Sequence, residues 1–176
     1  MVLTYMLAFT RITLGIVFAL SYFTKATNVQ QFAQTIAKFN ILPASLSKIV
    51  AILFLCGEGI VLLLMGVGGA YLTFGFALAF ILLLLFSVAI ISVLVRRIQT
   101  ACNCFGSTEK PISIYDVGRN VSFILCALVG LNVAVILNGN ILTLSFGELI
   151  IMSAQAFIFV LIMTYLDEFA VLFQQR

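Results

Sequence analysis

Long apolar runs separated by short polar interruptions dominate the chain, and they carry the first prediction. The runs cover about residues 3–23, 45–66, 69–95, 117–137 and 145–166. Each reaches the ~20 residues that an α-helix needs to cross ~30 Å of hydrocarbon. Five membrane-spanning helices are the simplest count, which puts residue 1 and residue 176 on opposite sides of the bilayer. We call the side of residue 1 side A and the other side B. Two connections on side A, Gly66–Gly69 and Asn138–Asn140, are tight and nearly uncharged. Gly and Asn suit such turns because they tolerate positive φ. The two connections on side B are longer, about 24–44 and 96–116, so functional elaboration is expected there.

The first side-B connection has a pattern of its own. Val29, Phe32, Ile36 and Phe39 recur at helical spacing, with Gln30, Gln31, Gln34 and Lys38 opposite them. This spacing predicts an amphipathic helix lying in the interface plane. Thr27 or Asn28 is placed to cap it and Pro43 to stop it. Such a helix is a cuff round the bundle, or a lid or docking surface for a partner. The first fifteen residues, MVLTYMLAFTRITLG, lack a basic start and a small-residue cleavage site, so a retained spanning helix is expected rather than a signal peptide. The expected fold is a single all-α integral membrane domain over 1–176: about five transmembrane helices and one interfacial amphipathic helix.

Composition agrees and narrows the chemistry. Of 176 residues, 64% are hydrophobic and 9% charged, with a mean hydropathy of +1.27. Soluble chains carry roughly 25% charged residues, so a water-soluble globule is excluded. The absence of histidine removes Ser-His-Asp and Cys-His catalysis, histidine-ligated haem and most zinc and copper sites. A net charge of +3 gives no support to nucleic-acid binding.

Two charges fall deep within the apolar runs. Arg11 and Glu58 each lie ~8 residues from side A, about 12 Å deep, on antiparallel neighbours. An unpaired charge at that depth costs at least ~2.5 kcal/mol, so the two are expected to pair. Gly57 and Gly59 flank Glu58 and would let a neighbour approach closely. The pair reads as a structural clamp, or as a polar site for a proton or a quinone headgroup. Glu148 is expected to face headgroups near side A. Asp116 and Arg119 form an i,i+3 pair on side B, where Lys25 ends the first helix.

The remaining chemistry is sulfur. Cys102 and Cys104 stand in the segment Thr100-Ala-Cys-Asn-Cys-Phe-Gly-Ser. A disulfide between them closes a very small ring, and strained exposed disulfides tend to be catalytic or regulatory. Lys25, Arg96, Arg97, Lys110 and Arg119 are expected near this edge, where cations favour the attacking thiolate. Thiol–disulfide exchange, a static disulfide, a soft-metal site such as Cu(I) on two thiolates, and plain reduced thiols are all open at this point. Cys56 and Cys126 fall in mid-helix, about 15 Å below the loop, and are expected to be small core residues. A second exposed pair is absent, so a second redox partner would be another protein or a small molecule.

Taken together, Arg11-Ile-Thr-Leu-Gly15, Phe18, Lys25, Phe32, Ile41-Leu-Pro43, Glu58, Cys102-Asn-Cys-Phe-Gly106, Asp116 and Arg119-Asn120 resemble the MauE/DoxX family of redox-associated bacterial membrane proteins, named for methylamine utilisation. The similarity covers about residues 8–135. It implies a five-helix protein of the cell membrane that works with a thioredoxin-like partner to form or keep disulfides in an exported client protein. Cys102 and Cys104 match the redox pair. Arg11, Lys25, Glu58 and Arg119 match polar positions, Lys25 and Arg119 being the candidates for stabilising a thiolate. A methylamine role is not implied. Two other classes stand beside this one: a non-catalytic accessory subunit of a larger membrane assembly, and a small-molecule carrier built on Arg11 and Glu58.

Sidedness is in tension. Side B carries Lys25, Lys38, Lys48, Arg96, Arg97, Lys110 and Arg119, and side-A loops carry no lysine or arginine. The positive-inside rule puts side B in the cytoplasm, whereas disulfides in exported proteins persist outside.

Overall fold

The computed structural model describes residues 1–39, 43–96, 114–137 and 145–165. These residues form α1 (Val2–Thr27), α2 (Val29–Lys38), α3 (Ala44–Val67), α4 (Tyr71–Val95), α5 (Ile114–Leu137) and α6 (Phe146–Thr164). All but α2 are long and apolar enough to cross a membrane. The all-α expectation of five spans and one short amphipathic helix therefore holds. The Asn138–Asn140 turn and the segment holding Cys102 and Cys104 lie outside the described residues.

Side-chain contacts fix the topology. Arg11 meets Met65 while Lys25 meets Glu58, so α1 and α3 run antiparallel. Gly57 faces Leu82 and Gly75 faces Leu64, so α3 and α4 do too. Asn120 bonds Leu83 while Gly130 faces Phe76, which makes α4 and α5 antiparallel. Tyr5 reaches Glu148 and Phe9 stacks edge-on against Phe159, so α6 runs parallel to α1. α1 thus packs against α3, α5 and α6, α4 closes the group between α3 and α5, and α2 lies on α3.

Small residues let these helices close together, as expected where lipid removes the hydrophobic drive between helices. Leu14, Val61, Phe76, Ala79, Phe123 and Ala127 are fully enclosed in one core. A Cβ on Gly130 would stand 2.2 Å from the Phe76 ring, so the ring occupies the space that glycine leaves. Outward-facing Phe23, Leu53, Leu63 and Phe74 stay exposed and would meet lipid.

Helix ends follow local chemistry with one departure. Asn28, at φ −142° and ψ 58°, breaks α1 from α2, but its side chain makes no capping bond. The Thr27 hydroxyl instead donates back to Thr24 O. Pro43 sits immediately before α3. After α3 the chain turns through Gly68 and Gly69 at φ 78° and 62°, the left-handed region that the glycine-rich turn anticipated. Ser145 and Glu148 form a reciprocal capping box on α6. Glu148 is not merely facing headgroups, because it also accepts the Tyr5 hydroxyl and ties α6 to α1.

Candidate functional site: a buried ion pair beneath the interfacial helix

The polar centre of the bundle is built on Glu58. Glu58 is 2% exposed and lies at mid-length in α3. Gly57 and Gly59 make room beside it, though side chains fill that room: a Cβ on Gly57 would be 3.2 Å from Leu82, and one on Gly59 3.3 Å from Tyr22. Glu58 Oε1 forms a salt bridge with the Lys25 ammonium, itself 3% exposed, and accepts the Ser21 hydroxyl at 2.9 Å. Ser21 and Lys25 are four residues apart on α1 and therefore share a face. Glu58 Oε2 has no hydrogen-bond partner among the described residues.

The Lys25 ammonium is also enclosed by aromatic rings from three helices. Its Nζ stands 4.8 Å from the Phe32 centroid on α2, 5.2 Å from Phe54 on α3 and 5.4 Å from Phe86 on α4. Ring faces attract a cation within about 6 Å, more strongly where water is excluded. Phe32 reaches this position because the apolar face of α2 packs down on α3, leaving Gln30, Gln31, Gln34 and Lys38 exposed. The amphipathic helix is therefore a cover over a charged site. Beside the ion pair is a cavity of about 30 Å³, lined in part by Phe18, Ser21, Lys25, Glu58, Phe86 and Asn120. Asn120 is held there by donating to Ser87 Oγ at 2.7 Å and to Leu83 O at 3.2 Å.

The expected Arg11–Glu58 pair does not form, and the reason is side-chain direction. Side chains on a helix lean toward its N-terminus. Arg11 on α1 therefore leans toward side A, and Glu58 on antiparallel α3 leans toward side B. Their heads diverge, while Lys25 leans from side B into the membrane and meets Glu58. Arg11 instead donates to Met65 O at 2.7 Å and Gly66 O at 3.0 Å. These are carbonyls of the last turn of α3, the negative end of its dipole. A Cβ on Gly68 would be 3.1 Å from the Arg11 guanidinium, so glycine serves the turn and the contact together.

The other candidates are accounted for in turn. Asp116 and Arg119 pair at 2.9 Å, as their spacing predicted. Cys126 is half-buried against the core, as expected, but Cys56 is exposed on the outer face of α3 and is not a core residue. Cys102 and Cys104 lie outside the described residues.

The sequence profile of the family described as "Methylamine utilisation protein MauE" matches residues 3–133. The chain belongs to the MauE family. No curated protein and no solved structure matches it. The match takes in α1 to α4 and most of α5, and so the whole polar centre; α6 lies beyond it. Within this MauE-family protein, Phe18, Lys25, Phe32, Glu58 and Asn120, far apart in sequence, line or cover one site. Ser21, Phe54, Phe86 and Ser87 complete it and were not singled out from sequence. Phe54 and Phe86 sit among many apolar residues, and only the register between helices picks them out.

Proposed function

We propose that this MauE-family membrane protein is a thiol–disulfide redox protein that exchanges electrons with a thioredoxin-like partner through Cys102 and Cys104, in support of disulfide formation in a client protein. The supporting observation is the placement of the Cys-x-Cys segment. It belongs to the connection from Arg96 to Ile114, between the side-B ends of α4 and α5. Lys25, in the last turn of α1, belongs to the same half of the bundle.

In the exchange, a thiolate of the partner attacks one sulfur of an oxidised Cys102–Cys104 pair. The sulfur–sulfur bond breaks, the second cysteine leaves as a thiolate, and a mixed disulfide holds the two proteins. The partner's second thiolate then displaces the remaining cysteine. Two electrons pass to the pair, the partner gains a disulfide, and the two protons lost by its thiols are matched by two taken up by Cys102 and Cys104. Arg119 is the cation proposed to favour the thiolate. Lys25 is the other candidate for that role, and its ammonium is already held by Glu58.

A quinone headgroup is a possible small-molecule ligand for the intramembrane charges. No step is routed through it here. The test is a Cys104→Ser variant, which leaves Cys102 to hold any mixed disulfide. Recovery of a thioredoxin-fold protein in a reducible adduct is expected. If none forms, and client disulfides appear at the normal rate in a Cys102→Ser, Cys104→Ser double variant, the reading fails in favour of an accessory subunit.

A further inference from the structure

We infer that this chain pairs with a second copy of itself through the outer face of α6, the two subunits joined in the middle of the membrane by their Gln155 amides. This goes beyond the redox reading and does not depend on the cysteines. Gln155 has nine residues of α6 before it and nine after it. At 1.5 Å per residue it stands about 14 Å from either end of the helix, near the bilayer midplane. Its side chain is exposed on the surface that would meet lipid, and it makes no hydrogen bond among the described residues. Other polar side chains of the spans bond their own helix: Ser153 donates to Leu149 O and Asn132 to Leu128 O, each at 2.8 Å. Hydrocarbon offers a bare carboxamide no water, and the glutamine stem is too short to carry it to an interface. The amide at this depth therefore calls for a partner side chain that is itself inside the membrane.

A second copy supplies one. A carboxamide is donor and acceptor at once. Two copies inserted the same way and related by a two-fold axis along the membrane normal bring a residue near the axis opposite itself at the same depth. Each Gln155 Nε2 then donates to the other copy's Oε1, and two reciprocal hydrogen bonds satisfy both amides with no further residue needed. The surroundings permit the approach. α6 is the least buried of the five spans and packs chiefly on α1, so its outer face is open. Ala154 adjoins Gln155, and Gly147 lies two turns from Ala154 on the same face. Both are exposed, and a Cβ on Gly147 would meet nothing within 4 Å. Small residues at such positions let two membrane helices close to hydrogen-bonding distance. Exposed Ile151 and Ile158, one turn to either side of Gln155, would pack around the paired amides.

The experiment is sedimentation equilibrium of the full-length protein in density-matched detergent micelles over a range of protein-to-detergent ratios. A monomer–dimer equilibrium is expected for the parent. Gln155→Leu should weaken dimerisation about tenfold, within the range for hydrogen bonds between membrane helices. Gln155 bonds nothing within its own chain, so this change removes no hydrogen bond that holds the monomer together. Gln155→Asn keeps the amide and should keep most of the association. Phe74→Ala, on the exposed face of α4, should leave it unchanged. A parent that sediments as a monomer at every ratio overturns the proposal. So does a dimer that Gln155→Leu leaves as tight as the parent's, because the amides are then not its contact.

Discussion

Lys25 is held twice, once by Glu58 and once by three phenylalanine rings, and the two supports are separable by mutation. Removing one member of a buried ion pair leaves the other charge uncompensated and costs about 3–5 kcal/mol. Lys25→Met should therefore lower stability by roughly that amount in a detergent-unfolding titration. Adding Glu58→Leu should restore much of the loss, because an apolar pair leaves no bare charge. Additive losses in the double variant would show that Lys25 acts through the rings and not through Glu58. Gly130 gives a second prediction at this scale. A methyl there meets the enclosed Phe76 ring at 2.2 Å, so Gly130→Ala should cost at least ~1–3 kcal/mol of overpacking. Phe76→Leu in the same chain should recover part of it. These residues differ in how far the sequence reveals them. The depth of Glu58 in an apolar run is plain from counting, and it predicts that some cation must come to it. Which cation comes depends on the lean of side chains on antiparallel helices, and counting Cα positions along each helix does not include that.

Among the elements, α2 is the one whose sequence and structure agree most directly and whose role is most open to test. Its period of apolar positions already separates the face carrying Phe32 from the face carrying Gln30, Gln31, Gln34 and Lys38. The structure adds what that face covers. Phe32 sits edge-on to Phe54 at 6.5 Å and over Lys25, so one side chain both anchors α2 and closes the site. Phe32→Ala should loosen α2 without unfolding the bundle, since the main core of α1, α3, α4, α5 and α6 does not include it. Hydrogen exchange should rise across Val29–Lys38 and stay unchanged in the middle of α4 and α5. Loss of protection in all helices together would mean that α2 is part of the cooperative core and not a cover. The spans themselves were legible because each is a continuous apolar run. α1 runs to Thr27, beyond the apolar stretch ending near residue 23, because Lys25 is neutralised inside the bundle and does not mark the end of the helix.

For the whole molecule, the distribution of charge predicts an orientation, and the structure sharpens the prediction. Lys25 belongs to a buried pair and Arg119 to an ion pair with Asp116. Lys38, Lys48, Arg96, Arg97 and Lys110 still lie on side B, against no lysine or arginine in the side-A connections. By the positive-inside rule this excess predicts that side B, with Cys102 and Cys104, faces the cytoplasm. A membrane-impermeant maleimide applied to reduced, right-side-out vesicles should then leave both cysteines unlabelled, and inverted vesicles should label them. Cys56 and Cys126 lie within spanning helices and should stay unlabelled from either side, so a Cys102→Ser, Cys104→Ser variant supplies the blank. The result bears directly on the direction of electron flow. A cytoplasmic pair faces a reducing pool and is suited to receiving electrons from a cytosolic thioredoxin-like donor. Labelling from the outside would reverse this, placing the pair where disulfides persist and where an exported client can be oxidised. In that case the basic residues of side B would be retained against the charge rule, and their attraction for a thiolate would be the stronger reason for their position.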